Sequence, residues 1–192
     1  MRAFVVLAAF VAVACGPSAP KFMASDVTGT SFGRDFQLVD HNGKPRTLAD
    51  YRGKAVVLFF GYTQCPDVCP TTLAALAEAM KRLCADAERV QVLFVTVDPE
   101  RDTPDLLSKY VPAFDPRFAG LYGDADATAR TAKEFKVIYQ KQPGATPGAY
   151  TMDHSAGTFI FDPNGKLRVY VGYGQGADVF AHDIKELLRN QG

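Results

Sequence analysis

A single α/β domain built on a central sheet is the fold class this sequence predicts, and three observations predict it. Residues 56–60 and 90–97 are apolar almost without a break, the mark of strands covered on both faces. The first run is followed by a segment in which apolar residues return every three or four positions, as on one side of a helix, and the second by a helix-opening turn. The chain then turns to an antiparallel pattern over residues 158–171 and closes with an amphipathic helix. Its 192 residues, 47% hydrophobic and 22% charged, suit one domain with a proper core, with no internal repeat and no second domain. Lys and Arg total 21 and so do Asp and Glu, so nothing points to nucleic acid or to a polybasic membrane contact. Four cysteines are too few for a disulfide scaffold, which shifts attention from their number to their chemistry.

The N-terminus reads as an export signal. Met1-Arg2 is a short basic start, and residues 3–14 are an unbroken apolar run of twelve. A bilayer span needs about 20 such residues, whereas a signal-peptide core needs about 7–15. Ala12-Val13-Ala14-Cys15 resembles a bacterial lipobox, which implies cleavage before Cys15 and a lipid on that residue. Ala12 stands where such motifs usually carry Leu, and the alternative is an ordinary secretory signal followed by a chance cysteine. Either way the protein is exported, to a compartment where Cys65 and Cys69 can form a disulfide. Residues 15–31, rich in Gly, Pro, Ser and Thr, read as a flexible tether, and the domain proper is expected over 32–192. Fully extended, such a tether reaches about 55 Å above the membrane.

Within the domain, Phe36-Gln37-Leu38-Val39 and Arg46-Thr47-Leu48 flank an Asn-Gly turn and predict an edge hairpin, with His41 solvated in the turn. Residues 56–60 are the first central strand. Leu73, Leu76, Ala77, Met80 and Cys84 form the buried stripe of the helix that follows, which makes Cys84 a buried free thiol. Residues 90–97 are the second central strand. Asp98-Pro99-Glu100-Arg101-Asp102-Thr103-Pro104 opens another helix, with Asp102 or Thr103 as N-cap and Pro104 in its first position. A partner contact is the alternative role for this acidic turn. Asp124 or Asp126 starts a short inserted helix that runs to Phe135. Two prolines and two glycines exclude a regular element over residues 142–148. Asp162-Pro163-Asn164-Gly165 turns one strand into the next, and Phe180, Ile184, Leu187 and Leu188 bury the last helix, leaving His182 exposed. This order outlines a thioredoxin-like sandwich with an N-terminal hairpin extension and an inserted helix.

The chemistry sits where the first central strand hands over to its helix, at Gly61-Tyr62-Thr63-Gln64-Cys65-Pro66-Asp67-Val68-Cys69-Pro70. Two cysteines four apart at a helix N-terminus lie in a field that favours thiolate. They can chelate a soft metal or close to a disulfide. Thioredoxin-type oxidoreductases carry two residues between the cysteines and a cis-proline opposite them. This chain carries three, and no proline stands between Pro147 and Pro163. His154 occupies that neighbourhood instead. On spacing alone His154 is either a third ligand or a hydrogen-bonded loop histidine. Two thiolates and an imidazole suit Cu(I) or Zn(II). A structural zinc site calls for four closed ligands, and no fourth strong donor is evident, although Met152 and Asp153 adjoin the histidine.

The Cys65–Cys69 stretch, the turn from Asp98 to Pro104 and Asp153-His154-Ser155 together resemble, in order, the three signatures of the Sco/SenC family. The resemblance covers roughly Ser31 to the C-terminus. It implies an extracytoplasmic copper-binding protein that assists assembly of the dinuclear copper centre of cytochrome c oxidase, with Cys65, Cys69 and His154 as copper ligands. The partners it implies are the copper-accepting oxidase subunit or another copper chaperone, and a thiol reductant. Many relatives keep a transmembrane helix where this chain has a lipobox-like leader. A metallochaperone is the primary expectation. The alternative is a thiol–disulfide reductase that uses Cys65 and Cys69 as its redox pair, and sensing through the acidic turn is a third class.

Overall fold

The structure is a computed structural model and describes residues 20–189. The expected signal segment and Cys15, the expected lipid site, lie outside the described residues. In chain order the strands are β1 (Ser25–Asp26), β2 (Leu38–Asp40), β3 (Pro45–Arg46), β4 (Ala55–Gly61), β5 (Val90–Thr96), β6 (Ala119–Tyr122), β7 (Tyr139–Pro143), β8 (Tyr150–His154), β9 (Thr158–Phe161) and β10 (Leu167–Val171). The helices are α1 (Val68–Leu83) after β4, α2 (Pro104–Tyr110) after β5, α3 (Ala125–Glu134) after β6, and α4 (Ala177–Arg189) after β10. Eight strands form one mixed sheet in the order β1-β10-β9-β4-β5-β6-β2-β3, and β7 pairs only with β8. The thioredoxin-like layout, the front hairpin and the inserted helix all appear.

The two apolar runs are the centre of this sheet. β4 and β5 pair in parallel from Ala55 with Val90 to Gly61 with Thr96, and every residue of β4 is buried. Successive side chains leave a strand on opposite faces. Phe59 accordingly meets Phe94, while Phe60 meets Phe135 and Phe159. Each ring so buried contributes about 1.5–3 kcal/mol. α1 packs on α4. Thr103 caps α2 by accepting from Leu106 N at 3.2 Å, with Pro104 in the first turn, and Asp124 caps α3 by accepting from Ala127 N at 2.7 Å. Among the described residues no helix is long and apolar enough to cross a membrane.

Several expectations are corrected. Cys84 is exposed, because α1 ends at Leu83 and Cys84, with φ 52° and ψ −123°, leaves the helical path that carries the buried stripe. His41 is not simply solvated: its ring Nδ1 accepts from Gly120 N at 3.0 Å while its backbone N–H donates to Gly120 O, pinning the hairpin turn to β6. His182 is half-exposed and leans on Asp183. The described part of the expected tether is packed on the domain. β1 pairs with β10, and the fully buried Asp183 accepts from Met23 N at 2.7 Å and Ala24 N at 2.9 Å. Phe22, Val27 and Phe32, scattered among polar residues, supply the apolar contacts that composition concealed. The loop over 142–148 is the tip of the β7–β8 hairpin, with Pro143 ending a strand that lies at an edge, where no N–H is required.

Candidate metal centre

β4 delivers the chain to the site at Gly61. A Cβ there would sit 2.8 Å from both Cys69 Sγ and Phe94, so only glycine lets the sulfur approach the strand end so closely. The next residues form a short loop held from below. Thr63 donates its backbone N–H and its hydroxyl to Asp102, the latter at 2.6 Å, and Thr96 Oγ1 donates to the same carboxylate at 2.6 Å. Burial pushes the Asp102 carboxyl above the usual range, and these hydrogen bonds pull it partly back. Asp102 therefore ties the cysteine loop to the end of β5. Asp98 and Asp102 are both 1% exposed, so neither carboxylate of the acidic turn is available as a partner contact. Glu100 alone of its acids stays at the surface.

The chain enters α1 at Val68, and Asp67 gives no side-chain cap. Instead Cys69 N donates to Cys65 Sγ at 3.4 Å, so the first sulfur satisfies one of the free N–H groups of the helix start. Cys69 is fully buried and Cys65 half-buried. The field of the helix start on its own favours thiolate. At Cys69 burial dominates and pushes the thiol up, with a hydrogen bond from the Tyr62 backbone only partly opposing it.

β8 delivers His154 from the far end of the sequence. Its Nδ1 lies 3.1 Å from Ser155 O, and since a carbonyl only accepts, the proton sits on Nδ1. The lone pair of Nε2 then faces the sulfurs, 3.5 Å from Cys69 Sγ. Tyr62 meets the imidazole edge-on at 5.9 Å between centroids, and Phe59 meets it at 6.3 Å. Burial holds the imidazole below the ordinary histidine range, which keeps it neutral and able to ligate. Sγ of Cys65, Sγ of Cys69 and Nε2 of His154 all lie within 4.8 Å of one another. Bonds of about 2.3 Å to sulfur and 2.0 Å to nitrogen set donors at most about 4.6 Å apart, so the group fits one small ion after little adjustment. A cavity of about 390 Å³ opens beside Cys65 and His154, between Pro66 and Val68 on one side and Met152 on the other, with Cys69 buried behind them.

The structure thus brings together the three residues singled out in the sequence. Met152 is buried, and Asp153 points to solvent. Sequence reasoning missed the aromatic contact of Tyr62 with His154 and the hydrogen bond from Arg101 Nη1 to Tyr150 O. The one available signal was the two-residue period of Tyr150, Met152 and His154, which puts them on one side of a strand.

A family model described as SCO1/SenC matches residues 25–189. The mitochondrial SCO2 homolog of Mus musculus is 38% identical over 153 residues, 79% of this chain and 60% of its own length. The chain thus spans about three fifths of the length of that relative. Among solved structures, Bradyrhizobium japonicum ScoI with copper bound superposes with a TM-score of 0.75 at 39% identity, covering 82% of this chain and 100% of that one. Apo Sco1 of Thermus thermophilus gives a TM-score of 0.78 at 40% identity, covering 90% and 100%. The family match runs through the cysteine pair, the acidic turn and the distal histidine alike, and the chain belongs to the SCO1/SenC family.

Proposed function

We propose that this protein is an extracytoplasmic copper chaperone that carries copper on Cys65, Cys69 and His154 and helps to assemble the dinuclear copper centre of cytochrome c oxidase. The observation that carries the proposal is the convergence of two sulfurs and one imidazole nitrogen within 4.8 Å. Soft thiolates select Cu(I), and the imidazole adds the borderline donor that Cu(II) prefers, with a weaker fourth donor completing the latter. Copper is cargo here. A set of three donors, two of which, Cys65 and His154, line an open cavity, leaves a side from which an acceptor's ligands can enter and take the ion by exchange. The acceptor is the copper-binding subunit of the oxidase or a further chaperone. Anchoring through a lipid on Cys15 keeps the domain at the membrane surface. To test this, the reduced Cu(I)-loaded protein is mixed anaerobically with the reduced, copper-free acceptor domain. Copper is expected to move to the acceptor; a protein that keeps its copper against excess acceptor contradicts the proposal.

A second reading is favoured by the unequal burial of the sulfurs, half-buried Cys65 beside fully buried Cys69. In a thiol–disulfide reductase, the accessible Cys65 thiolate attacks an acceptor disulfide and forms a mixed disulfide. Cys69 then attacks Cys65, releasing the reduced acceptor and leaving a Cys65–Cys69 disulfide for an external thiol reductant to reset. Turnover of an oxidised acceptor peptide in the absence of metal separates the two roles, since a chaperone shows little of it.

A further inference from the structure

The histidine-bearing hairpin is not part of the main sheet. β7 and β8 pair only with each other, and an isolated two-stranded hairpin is marginal in water. Something else must hold His154 at a fixed distance from the sulfurs. Met152 in the core and the Lys141–Glu100 ion pair contribute, and one side chain bonds to the histidine strand and the cysteine loop alike: Arg101. Its Nη1 donates to Tyr150 O at 2.9 Å, in the histidine strand, and to Gln64 Oε1 at 3.1 Å, in the cysteine loop. Its Nε is paired with Asp98, whose other oxygen accepts from Tyr150 Oη at 2.8 Å. The guanidinium lies 3.6 Å above the ring of Tyr150 and 5.7 Å from that of Tyr62, which itself packs on His154.

We propose that Arg101 is a positioning residue that locks the His154 strand to the Cys65 loop and so sets the geometry of the third ligand. The inference rests on the copper-binding reading above. A planar guanidinium can reach both elements and stack on an aromatic face at once; an ammonium cannot. The buried pair with Asp98 is poor evidence for stability, since removing charges from water offsets most of their attraction. Its consequence is orientation. Cu(I) held by two sulfurs does not need the imidazole, whereas Cu(II) does, so loss of the lock acts on one oxidation state.

The test compares wild type with Arg101→Gln, Arg101→Lys and Gln64→Ala, each alone and Arg101→Gln also with His154→Ala. Copper salts are titrated anaerobically into the reduced protein. Arg101→Gln is expected to weaken Cu(II) binding by about 10–100-fold and to alter its sulfur-to-copper absorption. Cu(I) affinity should stay within about threefold, and adding His154→Ala should weaken Cu(II) no further, because both changes remove one ligand. Arg101→Lys and Gln64→Ala should fall between wild type and Arg101→Gln. In the metal-free protein, amide hydrogen exchange should quicken in β7 and β8 and remain unchanged in β4 and β5. Wild-type Cu(II) behaviour in Arg101→Gln, equal loss of both oxidation states, or additive loss with His154→Ala overturns the proposal. Should Arg101→Gln fail to fold, wild-type Cu(II) binding in Arg101→Lys and Gln64→Ala overturns it as well. A wild-type protein that binds no copper sinks the function proposed above, and the hydrogen-exchange comparison then decides on Arg101 by itself.

Discussion

Cys69 Sγ and His154 Nε2 stand 3.5 Å apart although 85 residues separate them in the chain. The sulfur is buried with its thiol pushed up, and the imidazole is buried with its basicity held down. At neutral pH both shifts favour a neutral thiol beside a neutral imidazole in the metal-free pair. Thiolate ligation must expel the Cys69 proton.

Binding of Cu(I) at pH 7 should release at least about one proton, traceable to Cys69. Calorimetric titration in buffers of different ionisation enthalpy measures it, and Cys69→Ser should remove both binding and release. A binding heat independent of buffer contradicts the account.

The buried imidazole also makes stability depend on pH. Its basicity is lower in the folded state than the ordinary value of 6.5, because burial disfavours the cation. As pH falls below about 6.5 the unfolded chain takes up a proton that the folded one resists, so stability declines towards the lower, folded value. Substituting Gln for His154 should flatten this part of the profile. Denaturant midpoints between pH 7 and 5 provide the measurement, and an equally steep decline in the variant rules the cause out.

At Gly61 a methyl group would meet Cys69 Sγ and Phe94 at 2.8 Å. Gly61→Ala should destabilise the domain by about 1–3 kcal/mol through overpacking and displace the sulfur. Unfolding in urea reads the first effect, and weakened Cu(I) binding the second. Unchanged values of both refute the close-approach argument.

Asp102 receives three donors, two from Thr63 and one from Thr96, with both hydroxyl bonds at 2.6 Å. In Asp102→Asn an NH2 group must face one of those donors, leaving it unsatisfied at about 1–3 kcal/mol. The loss should appear in thermal unfolding, together with faster amide exchange at Thr63. A variant as stable as wild type means that the carboxylate does not hold the loop.

How much of this was legible in the sequence differs by element. β4 and β5 announce themselves because burial on both faces removes every polar residue from 56–60. The capping residues Thr103 and Asp124 declare the starts of α2 and α3 through local chemistry. The cysteine pair was visible for the same reason, as a local motif at a strand–helix junction. β6 and the β7–β8 hairpin were not, since four-residue and polar strands carry little period-two signal and depend on their partners. Cys84 was misplaced because helical periodicity does not say on which residue a helix ends. His154 stood between two readings because its proximity to sulfur is a tertiary fact. Arg101 was invisible as a lock because its contacts lie on two elements that only the fold brings together.

The measurement closest to the central claim is an anaerobic titration of the reduced protein with Cu(II), following sulfur-to-copper charge-transfer absorption in wild type and His154→Ala. Wild type should bind one equivalent with strong absorption. His154→Ala should bind Cu(II) far more weakly while keeping Cu(I) binding and Cys65–Cys69 disulfide formation. A His154→Ala protein that takes up Cu(II) as tightly as wild type, with the same absorption, contradicts the assignment of the third ligand.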